Sequence, residues 1–486
     1  MKVWLRGNRG RIRAFAVFFW WVMSPYAVNA GADAPRRSAI PYPAGLEEQV
    51  QFWKDVFTIY TSNHVVIHDR EDLNRVYSVL DFSYLDAAGV SPVVAERLRR
   101  DRVDNELDRV RDVLTRLQQV GVSSASLNAE ELKVAKLFPR GASRRLLREA
   151  ASKERLRAQT GLAEKFHRAI EVAHSLWPEM ERIFRDEGLP VELTRLPLIE
   201  SGFNLDAYSR VGAAGIWQFM PATGRLYMRI DEAVDARRDP IVATEAAARH
   251  LRADYEALGS WPLAITAYNH GRGGMARAVT QVGTTDIVKI IQRYDGGSFG
   301  FASKNFFPEF LAALEVERNA GTFFGAVRPA PVRNWRSVTL PHYVRFSALA
   351  NGLGVSRTEL ARMNPALSER VVSGDLYVPK GYRLWLTRQV ARQFDRAYAS
   401  LTAAEKHDRQ KQWYVVHRVR KGDTLGRLAR RYGTTVGAIM RQNGLRNANQ
   451  IRNGQTLRIP SRPRAARQQP MSGDLARQRA CAVGFG

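Results

Sequence analysis

Cysteine is all but absent from this chain. Cys481 is the only one among 486 residues, so no intramolecular disulfide can form and stability cannot rest on one. Apolar runs are scarce too. Residues 14–23 are continuously apolar, but such a stretch is about half of what a membrane-spanning helix needs, and no other run is long enough. Lysine is rare beside arginine, 12 against 62, and acidic residues are outnumbered 48 to 74, for a net charge of +26. That imbalance suits polyanionic surroundings: nucleic acid, anionic headgroups or cell-wall carboxylates. A general preference for Arg would give the same count as a solvated face, and composition does not separate the two. Further absences exclude chemistries. Gly271-Arg272-Gly273-Gly274 lacks the Gly-Lys-Ser/Thr of a phosphate-binding loop. His64 and His68 have no evident acidic or third-histidine partner for a metal. No metal or cofactor is expected.

The apolar run follows Lys2, Arg6, Arg9, Arg11 and Arg13 and precedes Val28-Asn29-Ala30, a small-x-small cleavage pattern. Residues 1–30 therefore read as an export signal, placing the protein in the periplasm or cell envelope. There it would rarely meet nucleic acid. No cysteine near the cleavage pattern could carry a lipid anchor.

The length suggests two to four domains (an order-of-magnitude division, about 100–200 residues each). Residues 31–161 read as a helical N-terminal region. It has a Pro-rich lead, a helix over 46–60, a short strand at 64–68 and charged helices over 92–150. Leu107, Val110, Leu114 and Leu117 recur there at helical spacing. Residues 162–325 carry the chemistry. A helix over 162–187 is expected to end at Gly188, and Pro190 to open the next. Pro197 should kink that helix three residues before Glu200. A helix over 241–258 should start from Asp239-Pro240. Residues 326–341 read as a linker, 342–382 as a small unit, 383–412 as a charged connector, 413–461 as a second module and 462–486 as a basic disordered tail.

Three motifs stand in order. Leu196-Pro197-Leu198-Ile199-Glu200-Ser201-Gly202-Phe203 places a carboxylate at the end of an apolar helical stretch. Against apolar walls its charged form is disfavoured, so it can stay protonated near neutral pH. A general acid for a glycosidic bond needs that property. A Gly-rich aromatic loop follows, Gly212-Ala213-Ala214-Gly215-Ile216-Trp217-Gln218-Phe219-Met220-Pro221, and then Ala267-Tyr268-Asn269-His270-Gly271.

In this order and spacing the motifs resemble the lytic transglycosylase family, over roughly residues 165–325. The resemblance implies a mainly α protein with a lysozyme-like catalytic domain. It implies that Glu200 alone serves as acid and base, cleaving the bond between N-acetylmuramic acid and N-acetylglucosamine to leave a 1,6-anhydromuramoyl end. Substrate contacts are implied at Ser201, Trp217, Gln218, Met220, Tyr268 and Asn269. Ser201 either touches the sugar or orients Glu200, and Trp217 either stacks on a sugar or fills the core. Where many relatives carry a second active-site Tyr, this chain has Phe306. Glu192, two helical turns before Glu200, reads as structural.

Residues 413–461 suggest strand, helix, helix, strand. Tyr414 opens the first strand, Gly422-Asp423-Thr424-Leu425 turns into a helix with Asp423 or Thr424 as cap, and Leu425, Leu428, Ala429 and Tyr432 share a face. This small α+β (βααβ) unit resembles the LysM glycan-binding module, which implies glycan contacts at Gly422, Asp423, Thr424 and Asn443. Ten Lys/Arg and one Asp give it a local charge of +9. Residues 342–382 resemble a worn copy without the Gly-Asp-Thr-Leu opening.

The expectation is an exported enzyme acting on peptidoglycan glycan strands and held to them by LysM, with an anionic wall or membrane surface as a further partner. Nothing in the sequence fixes an oligomeric state. Two rivals remain: a hydrolase of the same fold, against which the lack of a second carboxylate in the motifs argues, and a non-catalytic peptidoglycan-binding scaffold.

Overall fold

The computed structural model describes residues 39–460. The expected export signal at 1–30 and the basic tail with Cys481 lie outside the described residues. The fold is mainly α, with a small three-stranded sheet near the start and a small strand-containing module at the end.

Helix Pro240–Leu258 runs through the middle of residues 162–325. Asp239 caps it, its Oδ1 accepting from the backbone N–H of Ile241 (2.9 Å) and Val242 (3.1 Å), as the Asp-Pro signal foretold. Ala243, Ala246, Ala247 and Ala248 are fully buried. These small residues let helices Trp177–Asp186, Trp261–His270 and Arg272–Val282 pack against it.

The expected single helix over 162–187 is two, Ala163–Ala173 and Trp177–Asp186. Pro178 explains the break: it lacks an N–H and would clash with the carbonyl one turn earlier. Pro197 likewise does not kink a helix from within. It starts one. Residues after Pro190 form a 3-10 turn, Val191–Arg195, and then the short helix Pro197–Glu200.

The N-terminal region holds more than helices. Strand His64–Asp69 pairs antiparallel with both Val76–Asp81 and Leu156–Thr160. Helix Pro92–Val120 covers this sheet, burying Val110, Leu114 and Leu117 in a core shared with Val65, Ile67 and Phe82, while Leu107 stays half-buried. Helix Glu47–Thr58 belongs elsewhere. It lies along helix Phe301–Arg318, with Trp53 Nε1 donating to Asn305 Oδ1 (3.2 Å), and so joins the core shared with the later helices.

The expected linker 326–341 is pinned rather than free. Ala330 N–H donates to Glu171 O (2.9 Å), and Trp335–Thr339 is a strand paired antiparallel with Arg383–Thr387. The worn unit thus extends beyond 342–382 at both ends. The last module has strands Tyr414–Arg418 and Thr456–Pro460 paired antiparallel around helices Leu425–Arg431 and Val436–Asn443. Its separate core contains Val419, Leu425, Leu428, Ala429, Ile439, Leu457 and Ile459.

Candidate active site

Glu200 is the last residue of its four-residue helix. Leu198 and Ile199 beside it are buried, and helix Phe301–Arg318 packs against it. The chain then turns sharply through two left-handed residues, Gly202 (φ 58°) and Phe203 (φ 51°). Phe203 is non-glycine and fully buried, so packing holds a conformation that costs an L-residue about 1–3 kcal/mol. The Glu200 carboxyl makes no hydrogen bond or ion pair with the described residues. Burial pushes its pKa up to about 8, so it carries a proton at neutral pH.

The Gly-rich loop is wired to Glu200 through its backbone. Ser201 is buried and its Oγ donates to Ile216 O (2.8 Å), which makes it a tie between helix and loop. Tyr268, in helix Trp261–His270, donates its hydroxyl to Trp217 O (2.8 Å). Burial, with Glu200 nearby, raises the Tyr268 pKa well above the usual phenol range, so it stays a donor. Gln218 takes a left-handed backbone (φ 48°) and its Nε2 donates to Gly215 O (2.7 Å). Met220 is exposed at the loop's end. Asn269 is exposed, its Oδ1 accepting from Ser303 Oγ (2.8 Å). Phe306 is buried, with no hydroxyl to offer. Glu192 pairs with Arg318 (3.5 Å).

Trp217 requires a correction. It is fully buried, stacks on Phe184 and donates Nε1 to Thr244 Oγ1 (2.9 Å). A ring enclosed on all sides has no face for a sugar, so its part is to fill the core and fix the loop from beneath.

Three features went unnoticed in the sequence. Arg237 is buried and staples the loop: its Nη1 donates to Gly212 O (2.6 Å) and Phe219 O (2.9 Å), while Nε and Nη2 hold Asp235. His250 meets Tyr227 Oη (3.2 Å) and Asp254 (3.6 Å) beside the Tyr268 ring. The third is Glu309, partly exposed like Glu200 and free of any protein hydrogen bond among the described residues. Burial, and then the charge of Glu200, push its pKa up to about 8. A second carboxyl is thus present beside Glu200, and a hydrolase is not disfavoured for want of one. A carboxylate set inside the apolar run from Phe306 to Leu314 was the available signal.

Gly215 shows how tightly the loop is built. At φ 75° it sits where a Cβ would lie 1.8 Å from Arg237 O. Gly215→Ala is expected to destabilise by about 3 kcal/mol or more through that clash and the backbone strain. Thermal unfolding of the variant beside wild type checks this; an unchanged Tm would mean the loop adjusts freely.

In the last module the polar side chains serve the fold. Asp423 Oδ2 accepts from Arg420 N–H (2.8 Å) and meets His417 Nε2 (2.8 Å), and the Arg420 N–H bond holds its pKa down. Thr424, not Asp423, caps the following helix through Arg427 N–H (3.2 Å). Asn443 is committed to Ile439 O and to both backbone groups of Arg458. Gly422 (φ 88°) and Thr424 remain exposed at the turn.

The Transglycosylase SLT domain family matches residues 181–291 and the LysM domain family residues 417–460. Membrane-bound lytic murein transglycosylase D of Escherichia coli (strain K12) is 30% identical over 291 residues, covering 57% of this chain and 61% of its own length. The chain thus spans about three fifths of that relative. A putative tributyltin chloride resistance protein of Alteromonas sp. (strain M-1) is 41% identical over 101 residues, 20% of this chain and 47% of that one. Among solved structures, lytic transglycosylase Slt from Pseudomonas aeruginosa is similar over 32% of this chain and 25% of its own, with 21% identity and a TM-score of 0.25. For the 70 kDa soluble lytic transglycosylase from Escherichia coli the values are 32%, 26%, 20% and 0.26.

Proposed function

We propose that this chain, which carries a transglycosylase SLT domain and a LysM domain, is a peptidoglycan lytic transglycosylase of the cell envelope. One observation carries the reading: Glu200 is an unpartnered carboxyl whose pKa burial lifts to about 8, beside a loop fixed by Ser201, Tyr268 and Arg237.

Glu200 gives its proton to the oxygen bridging N-acetylmuramic acid and N-acetylglucosamine. The C1–O bond breaks, the glucosamine side leaves as an alcohol, and the muramoyl acetamido oxygen closes on C1. Glu200, now a carboxylate, takes the proton of the muramoyl C6 hydroxyl. O6 bonds to C1 and displaces the acetamido oxygen, giving the 1,6-anhydro ring and restoring the Glu200 proton. No water is consumed, and closure is favoured because the nucleophile belongs to the same sugar. Met220, Gln218 and Asn269 border the space the sugars would occupy. The LysM module and its positive charge hold the chain to its glycan, raising the local substrate concentration.

Glu309 favours a second reading, hydrolysis, because a second carboxyl could direct a water at C1. Mass spectrometry of products from purified sacculi decides. Anhydromuropeptides are expected. Reducing ends would establish the hydrolase, and intact sacculi with retained binding would establish a non-catalytic scaffold.

A further inference from the structure

The segment 335–387 repeats the LysM module in detail. Its first strand and two helices begin the same 79 residues earlier, at Trp335, Phe346 and Arg357 against Tyr414, Leu425 and Val436. Asn364 does what Asn443 does. Its Nδ2 donates to Leu360 O (3.0 Å) and Trp385 O (2.9 Å), and its Oδ1 accepts from Trp385 N–H (2.8 Å). The closing turn matches too: Leu340 N–H donates to Tyr382 O and Gly381 N–H to Leu340 O, as Val419 N–H does to Gln455 O and Gly454 N–H to Val419 O. The closing strand follows at an offset of 73, Arg383 against Thr456, and the shared hydrogen bonds mark one fold used twice.

The two copies differ at the LysM turn Gly422-Asp423-Thr424, where Gly422 and Thr424 are exposed. Its counterpart is Tyr343-Val344-Arg345, and there Val344 is fully buried. Val344 N–H donates to Val378 O (3.1 Å) and Val378 N–H to Val344 O (2.8 Å), sewing the turn to the loop that faces it. The chain's own connector then adds a strand. Tyr343 pairs with His407 and Val344 with Lys406. The His407 ring stacks on Tyr377 at 4.1 Å, Gln410 exchanges two hydrogen bonds with the Tyr377 backbone, and Lys411 Nζ donates to Gly374 O (3.0 Å). The unit is also fastened to the catalytic region. Trp385, at the place of Arg458, donates Nε1 to Asp239 Oδ2 (2.7 Å), Arg383 pairs with Glu245 (2.7 Å), and Ser368 N–H donates to Ala233 O (2.9 Å).

We propose that residues 335–387 are a LysM fold closed to glycan, whose glycan-side lip instead binds a strand of its own chain, residues 406–407, so that the unit works as a bracket between the catalytic region and the LysM module. Main-chain pairing at an open strand supplies the affinity. The LysM module is thereby carried on a fixed mount, which Gln442 Nε2 extends by donating to Glu232 Oε1 (3.0 Å). The inference rests on the glycan-binding reading of the LysM module.

Hydrogen–deuterium exchange of the full chain, with and without an N-acetylglucosamine pentamer, tests it. Without ligand, 343–345 and 406–410 should already be protected, and His407→Ala/Gln410→Ala should speed their exchange at least roughly tenfold, about 1.4 kcal/mol of local opening. The pentamer should protect 422–424 and leave 343–345 and 374–378 unchanged. Ligand-dependent protection at 343–345 or 374–378 overturns the closure. Free-chain exchange at 406–410 in the wild type, or full protection in the double variant, overturns the strand pairing. No protection at 422–424 would refute the LysM reading instead, while the ligand-free comparison still judges the bracket.

Discussion

Replacing Glu200 by glutamine is expected to lower the rate of sacculus digestion by about 10³-fold or more while leaving the fold and glycan binding intact. Glutamine fills the same space but has no proton to give. The carboxyl makes no protein hydrogen bond among the described residues, so its loss leaves no partner unsatisfied. Stability supplies an independent control. The folded pKa of Glu200, about 8, lies above that of an exposed Glu. The wild type therefore keeps the stability of a half-buried neutral acid below about pH 4.5 and loses it as the pH rises towards 8. The variant has nothing to ionise. It should match wild type in Tm near pH 4 and exceed it near pH 8. Unchanged digestion by the variant would remove Glu200 from the chemistry; lost digestion with a lower Tm at both pH values would mean structural damage rather than loss of an acid.

What the sequence disclosed depended on how local the physics is. Asp239 before Pro240 and Thr424 before Leu425 are caps that act within three residues, and both helices start there. The apolar stretch before Glu200 foretold burial, and burial is what raises its pKa. Trp217 was left between sugar and core because an aromatic in a Gly-rich loop can face either way, and only the Phe184 and Thr244 side chains from distant elements place it in the core. Glu309 was missed because its meaning depends on helix Phe301–Arg318 lying against helix Pro197–Glu200, a contact across more than 100 residues of chain. The unit at 335–387 had only half its evidence in the sequence. The resemblance of 342–382 to a worn copy hinted at the repeat, but the matching of Asn364 with Asn443 shows only when both lock a helix to a closing strand.

Glu309→Gln is expected to move the alkaline limb of activity to lower pH, because two carboxyls that feel one another's charge cannot both ionise freely. Each carries a pKa of about 8, so near pH 7 the pair is mostly protonated and Glu200 can act as an acid whether or not Glu309 is present. The difference emerges as the first proton leaves. In the wild type that proton comes from either group. Wherever Glu309 ionises first, its negative charge disfavours a second one and holds Glu200 protonated to still higher pH, so activity falls gradually. In the variant Glu200 is the only proton donor of the pair and no like charge faces it. Its limb should be simpler and lie to the acid side by roughly half to one pH unit. Measured as kcat/KM against pH on solubilised glycan strands, the variant should stay within about twofold of wild type at pH 6 and fall several-fold behind at pH 9. A limb that does not move would mean the two carboxyls do not sense one another. A limb that stays put with a large loss at every pH would assign Glu309 a direct part in the bond-breaking step, as the hydrolytic reading requires. An alkaline shift would contradict the sign of a like-charge interaction and exclude Glu309 as the group that keeps Glu200 protonated.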